Sequence, residues 1–428
     1  MVPPSSLRDP LTGSSAKPAP TTPLAAHVVT VLVAVAAAAP FHLSGPVIFA
    51  LGLLSLFYVM LSGHLRVPHW TIVAFVTWCA VTVSWSVVPA ESTNGFLILA
   101  VSSVALWCLV LQLARDVMFR ALARAMKLLL VGSLVVYVLA PGAGREQTAD
   151  HFGALRGLFV QRNSAAFVIA AGLLLFVYLA ASPMFSRRER SAAWALLALG
   201  MLLATESSTG LAVGVVSCST LLFLMRLHRW GRSVRQLLAV LLLSVTGIAV
   251  AGTLQDLSWL SRLLGRDTSL TGRTFIWSLL EPYIRAKPWT GYGWAAVWTP
   301  DSLMARAIWG VAHFEFLHAH NAYLDALAQV GAVGLILLLL VCLTILAVAG
   351  RRVVTGTGDM WAVWPVALTF FMLLYGITES SLVSYFGWFM LVISLASVSA
   401  SRSDEDPGDG GSAMPPAAGT AARPGVGP

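Results

Sequence analysis

Apolar runs of about 20 residues, the length a helix needs to cross a hydrocarbon layer, recur along nearly the whole of this chain. That pattern constrains the fold more than any other feature. Inside a bilayer no water satisfies a bare backbone, so each crossing segment must close its own hydrogen bonds, as a helix does. The 428 residues are 57% hydrophobic and only 11% charged, too little charge to cover a soluble domain of that size. The expectation is an all-α integral membrane protein. Spans fall near 24–40, 46–62, 70–87, 94–113, 125–141, 164–181, 191–205, 209–226, 236–254, 322–349, 361–377 and 382–399, twelve in all.

Positive charge orients them, because Lys and Arg near span ends stay in the cytoplasm. With the N-terminus inside, 18 of the 27 basic residues are cytoplasmic, Arg115, Arg120, Arg124 and Lys127 among them. The other nine lie in two long segments, 142–163 and 255–321, where the rule acts weakly. The net charge of +8 is therefore topological, and no nucleic-acid partner is expected. The resulting plan has a disordered cytoplasmic tail over 1–23 and nine spans over 24–254. An extracytoplasmic loop follows over 255–321, then three spans over 322–400 and a disordered cytoplasmic tail over 401–428. Both tails are rich in Pro, Gly, Ser and Ala. Small residues after the first span mimic a signal-peptide cleavage site, but eleven further spans favour an uncleaved anchor. Cys79, Cys108, Cys218 and Cys342 all fall inside spans, which excludes disulfides and zinc spacing.

Polar groups are costly at membrane depth, so their gathering in 255–321 points to chemistry there. Phe275, Leu279 and Tyr283 recur at helical spacing, predicting a short amphipathic helix on the membrane surface, with Thr271 at its start and Pro288 beyond its end. Gly291 and Gly293 predict a tight turn of bare amides, a candidate anion cradle. Asn321 is a good N-cap for the span that follows. His320 then sits at the positive end of a helix dipole, a field that favours the neutral ring.

In this order Gly272-Arg273, Trp277, Pro288, Gly291, Gly293, His320-Asn321, Leu324, Gly331 and Gly334 resemble the O-antigen ligase and O-antigen polymerase superfamily. Arg156-Gly157 and Asn163 resemble that family's Arg-Gly…Asn element, so the likeness runs over roughly residues 150–390. The resemblance implies a GT-C-like membrane glycosyltransferase, inverting, metal-independent and without cofactor. It implies a polyprenyl-diphosphate-linked glycan as donor and a glycan or other surface acceptor, joined at the outer face of the cytoplasmic membrane. His320 would be the catalytic base and Arg273 would hold the donor diphosphate, with Arg156 and Arg162 beside it. Asn321, His318, Gly291, Gly293 and Trp277 would meet substrate. One position departs from the family. Where members carry Thr-x-Ser-Arg, this chain has Thr205-Glu206-Ser207-Ser208, so either Arg156 or Arg162 substitutes or the donor is held differently.

Competing readings are plainer. Arg273 could snorkel to headgroups, and Arg285 pairs with Glu281 one turn away. Glu206 and Glu379 sit in short outer turns, either touching sugar or simply solvated. A metal set of His313, Glu315, His318 and His320 needs an irregular backbone, since successive residues of an extended strand face opposite ways. The rival class is a transporter or flippase. It is disfavoured by spans nearly free of ionisable residues, Asp325 excepted. The topology has a direct check. A cysteine placed at position 300 is expected to react with an impermeant thiol reagent in intact cells, and labelling only after lysis would reverse the orientation.

Overall fold

A computed structural model describes residues 23–38, 41–227, 230–238, 271–355 and 360–403, with 240, 241 and 244 besides. Helices dominate, and no strand longer than a single bridge occurs among the described residues. They are α1 (Pro23–Ala38), α2 (Phe41–Leu61), α3 (Trp70–Thr82), α4 (Pro89–Leu111), α5 (Arg115–Leu139), α6 (Arg162–Ala181), α7 (Arg188–Ala204) and α8 (Ser208–Arg226). Then follow α9 (Thr271–Ala286), α10 (Leu303–Ala312), α11 (Ala322–Thr355), α12 (Val363–Tyr375) and α13 (Tyr385–Ser403). The span expected at 236–254 lies mostly outside the described residues, as do 255–270 and nearly all of both tails. Among the described residues five helices, α4, α5, α6, α8 and α11, are long and apolar enough to cross a membrane. The described parts of α1, α2, α3, α12 and α13 are apolar but shorter.

Packing follows from side-chain size and from the lack of any polar face. Helix α6 is buried without interruption from Ala165 to Phe176, as a helix apolar on every side must be. It packs on α7 and α8, while α12 covers α8, α4 lies against α2 and α13, and α3 against α11. Phe167 and Phe371 stack between α6 and α12 with centroids 5.9 Å apart.

Helix α11 is not one continuous rod. Gly331 interrupts it with φ 67° and ψ −173°, and the segment 288–293 docks into the gap. Ala332 and Val333 donate to the carbonyls of Pro288 and Trp289, at 2.8 and 3.3 Å. In return Tyr292 and Gly293 donate to the carbonyls of Ala328 and Gln329, at 2.9 and 2.8 Å. Backbone groups freed by the break are thus satisfied by protein, the condition for breaking a helix at membrane depth.

This docking anchors a small separate unit. Leu280, Val297, Trp298, Ile308, Trp309, Phe316 and Ala328 form its apolar cluster. The buried side of α9 carries Trp277 and Leu280, whereas Phe275 is 46% exposed. Of the stripe expected through Phe275, Leu279 and Tyr283, the last two pack against this cluster and Phe275 turns away from it. Replacing Gly331 by Ala would force a side chain into a positive-φ, extended-ψ region open essentially only to Gly, at about 1–3 kcal/mol, and against the Trp289 carbonyl. The thermal midpoint of Gly331→Ala is expected to fall by several degrees, whereas Gly310→Ala, in open space on α10, should leave it level or higher. Equal midpoints would contradict the role given to the break.

Candidate active site

The site is assembled where the start of α11 meets the turn between α12 and α13. Asn321 is fully buried and caps α11, its Oδ1 accepting from the amides of Tyr323 and Leu324 at 3.0 Å each. Its Nδ2 donates to the Ile377 carbonyl at 3.0 Å, and the Ala322 amide donates to the Gly376 carbonyl at 2.7 Å. The Tyr323 hydroxyl donates to the Leu373 carbonyl at 2.7 Å. These bonds lock residues 321–323 to the 373–377 segment, and so fix where the side chain of Glu379 lies relative to His320.

Glu379 joins two of the residues singled out in the sequence. Its Oε2 lies 3.0 Å from Nδ1 of His320, and its Oε1 accepts from Nη2 of Arg273 at 2.7 Å. The side chain is only 7% exposed. Burial opposes ionisation, but the interactions with His320 and with the Arg273 guanidinium outweigh it and hold the carboxyl down at about 2. With Nδ1 turned to the carboxylate, Nε2 of His320 is the nitrogen left to exchange a proton. His320 also adopts φ 51°, uncommon for a residue other than Gly. Such a conformation persists only where the surroundings enforce it.

His318 is brought to the same point, its ring centroid 4.2 Å from that of His320. It accepts the His320 amide at Nδ1, 3.2 Å away, and its Nε2 lies 3.1 Å from the side-chain nitrogen of Gln161. Burial, helped by His320, pushes its imidazole down to about 3, so it stays neutral and holds the chain in place. One nitrogen of each ring and a Glu379 oxygen lie within 4.8 Å of one another, spacing that a cation could exploit. Arg273 already neutralises that carboxylate. His313 is not part of this group among the described residues; it ends α10 in a left-handed cap.

The other expected residues divide. Arg162 reaches the 205–208 turn, donating to the carbonyl of Glu206 at 2.8 Å, and it feels the charges of Arg273 and Glu379. Of the two candidates to replace the Arg missing at Ser208, it is the one whose guanidinium lies at that turn. Arg156 instead stitches its own loop, donating to the Ala143 carbonyl at 2.8 and 3.1 Å. Trp277 is buried and donates to the Ala319 carbonyl at 2.8 Å, which supports the histidine segment from beneath. The anion cradle expected at Gly291 and Gly293 does not form. The Gly291 amide bonds the Lys287 carbonyl and the next two amides fill the break in α11.

Two cavities meet at this point. The larger, about 560 Å³, is bounded by α2, α4 and the 294–299 turn and reaches His318. The smaller, about 80 Å³, has Glu379 on one side and apolar residues such as Ala36, Phe159 and Phe167 on the other. His318, Ser380, Ser384 and Tyr385 line both.

Fold and site define a multi-pass membrane protein with a buried Arg–carboxylate–His relay at one end of its helices. Residues 193–339 match the O-antigen ligase family, a stretch that contains Arg273, Trp277 and His318–Asn321. Over 288 residues the chain is 25% identical to the exopolysaccharide production protein ExoQ of Rhizobium meliloti (strain 1021), covering 64% of this chain and 63% of that protein. The resemblance read from the motifs is borne out, and the chain spans less than two thirds of the length of this relative. Glu379 lies outside the matched stretch. Its signal was a carboxylate between two apolar spans, and its burial contradicts the solvated turn that was one of the two readings of it.

His318 generates a pH prediction. The unfolded imidazole binds a proton near 6.5 and the folded one only near 3, so between these values the unfolded chain holds more protons and stability rises with pH. The thermal midpoint is expected to fall on acidification from pH 7 to 4, with part of that slope missing in His318→Gln. An unchanged slope would contradict the neutral, buried ring.

Proposed function

We propose that this protein is an inverting, metal-independent glycosyltransferase that transfers or polymerises polyprenyl-diphosphate-linked glycans at the outer face of the cytoplasmic membrane. The observation that carries this reading is the bridge from Arg273 through Glu379 to His320, at 2.7 and 3.0 Å. The match to the O-antigen ligase family covers Arg273 and His320 and supports this reading. In the step proposed, Nε2 of His320 takes the proton of an acceptor hydroxyl as its oxygen attacks the anomeric carbon. The bond from that carbon to the diphosphate breaks, and its electron pair leaves on the diphosphate. A single in-line displacement inverts the anomeric centre. Glu379 orients the ring and stabilises the imidazolium that forms. Arg273 and Arg162 supply positive charge where the leaving diphosphate gains negative charge.

The transporter reading gains one feature from the structure, the break in α11, since broken helices are common in carriers. Here the break is filled by segment 288–293 rather than lining a solvent path, which favours the enzyme.

The test compares variants in membranes supplied with lipid-linked glycan. His320→Asn is preferred to His320→Ala, because Asn tolerates the left-handed backbone while lacking the imidazole base. It should lower turnover by about 100- to 10,000-fold. Glu379→Gln should follow it, and Arg273→Lys should also fall strongly, because a point charge does not reproduce a forked contact. His318→Gln should cost less than His320→Asn. If His320→Asn stays within a few-fold of wild type, the base is another group; if Arg273→Lys does so too, the enzymatic reading of this site fails.

A further inference from the structure

The larger cavity is not used by the relay itself, yet it ends at its edge. Its volume, about 560 Å³, falls inside the range of about 300–1,000 Å³ typical of small-molecule sites. Its lining contains no Lys or Arg but does contain Glu91 and Asp325, so a diphosphate would be repelled. What it offers instead is a set of hydrogen-bonding groups between aromatic walls. Glu91 and Asn94, on the first turns of α4, have no hydrogen-bond partner among the described residues. Trp294 is 3% exposed and its indole N–H is likewise unpaired. Asp325 is fixed by Trp298 Nε1 at 2.6 Å and by Gln329 Nε2 at 3.3 Å, which holds the opposite wall rigid. A leftover buried donor beside two uncommitted acceptors and donors suits a neutral ligand rich in hydroxyls.

Resting on the glycosyltransferase reading, we propose that this cavity binds the saccharide end of the acceptor, with Glu91 and Asn94 recognising its hydroxyls. In-line displacement requires acceptor and leaving group on opposite sides of the anomeric carbon. Arg273 and Arg162 hold the leaving-group side, and neither lines this cavity. His318 lines it, and its neighbour His320 carries the base. A saccharide seated there presents its hydroxyl toward His320 from the side away from the diphosphate.

The experiment uses the purified full-length protein in lipid nanodiscs and two probes. One is undecaprenyl diphosphate without sugar; the other is free oligosaccharide released by mild acid from the lipid-linked glycans of the host. Asn94→Trp fills the cavity, and Glu91→Gln removes one acceptor without changing its size. Asn94→Trp is expected to raise the acceptor concentration for half-maximal transfer by about tenfold or more, and to weaken oligosaccharide binding alike, with the donor requirement within about twofold. Undecaprenyl diphosphate binding should be unchanged in both variants, and Glu91→Gln should shift the acceptor requirement in the same direction by less. Transfer with wild-type acceptor dependence in both variants would overturn the proposal. So would a rise in the donor requirement alone, which would assign the cavity to the donor's glycan. A wild type that turns over but never binds the oligosaccharide also overturns it. If the wild type neither turns over nor binds undecaprenyl diphosphate, the glycosyltransferase reading fails first and takes this proposal with it.

Discussion

A carboxylate as buried as that of Glu379, its side chain 7% exposed, is stable only when opposite charge and hydrogen-bond donors surround it. Much of this end of the protein is arranged to meet that demand. Arg273 must come from α9, which is held down by its own apolar cluster and by Trp277 beneath Ala319. His320 must come from the end of the loop, held by the Asn321 cap and the bonds to residues 373–377. Neither partner would stand in place if the turn between α12 and α13 moved independently. The same attraction that stabilises the carboxylate also orients the imidazole, so structure and chemistry depend on one contact.

Rigidity reaches this contact through backbone more than through side chains. The break at Gly331 lets segment 288–293 pair with α11, and that pairing carries the turn containing Trp294 and Trp298 to one wall of the large cavity. Trp78 adds a bond from α3, its indole donating to the Val330 carbonyl at 2.8 Å. A helix broken in this way is a joint between the long-helix bundle and the unit built on α9 and α10, closed on both sides by hydrogen bonds.

Much of this could be read from residue order, for reasons that differ by element. Spans such as α4, α5, α6 and α8 are legible because hydrocarbon demands a contiguous apolar run, and a run is a local property. The N-cap at Asn321 is local too, and the structure contains it. Phe275 misled because helical spacing gives the period of a stripe but not the direction of its partner. Gly291 and Gly293 misled for a related reason. Their left-handed turn was legible, with φ of 63° and 112°, but the use of the neighbouring amides depended on a break 40 residues downstream. Glu379 was visible as an isolated acid between spans. Its role depended on Arg273, 106 positions away, and no spacing rule spans that interval.

The central claim is that this site moves a glycan from a polyprenyl diphosphate with protein groups alone. The most direct measurement places the purified protein in lipid nanodiscs with a polyprenyl-diphosphate-linked glycan and its acceptor, in the presence of EDTA. Glycan product and free polyprenyl diphosphate are then followed over time. The account predicts that both accumulate in equal amounts at a rate the chelator does not change. Absence of product, or product that appears only when a divalent cation is restored, would contradict it.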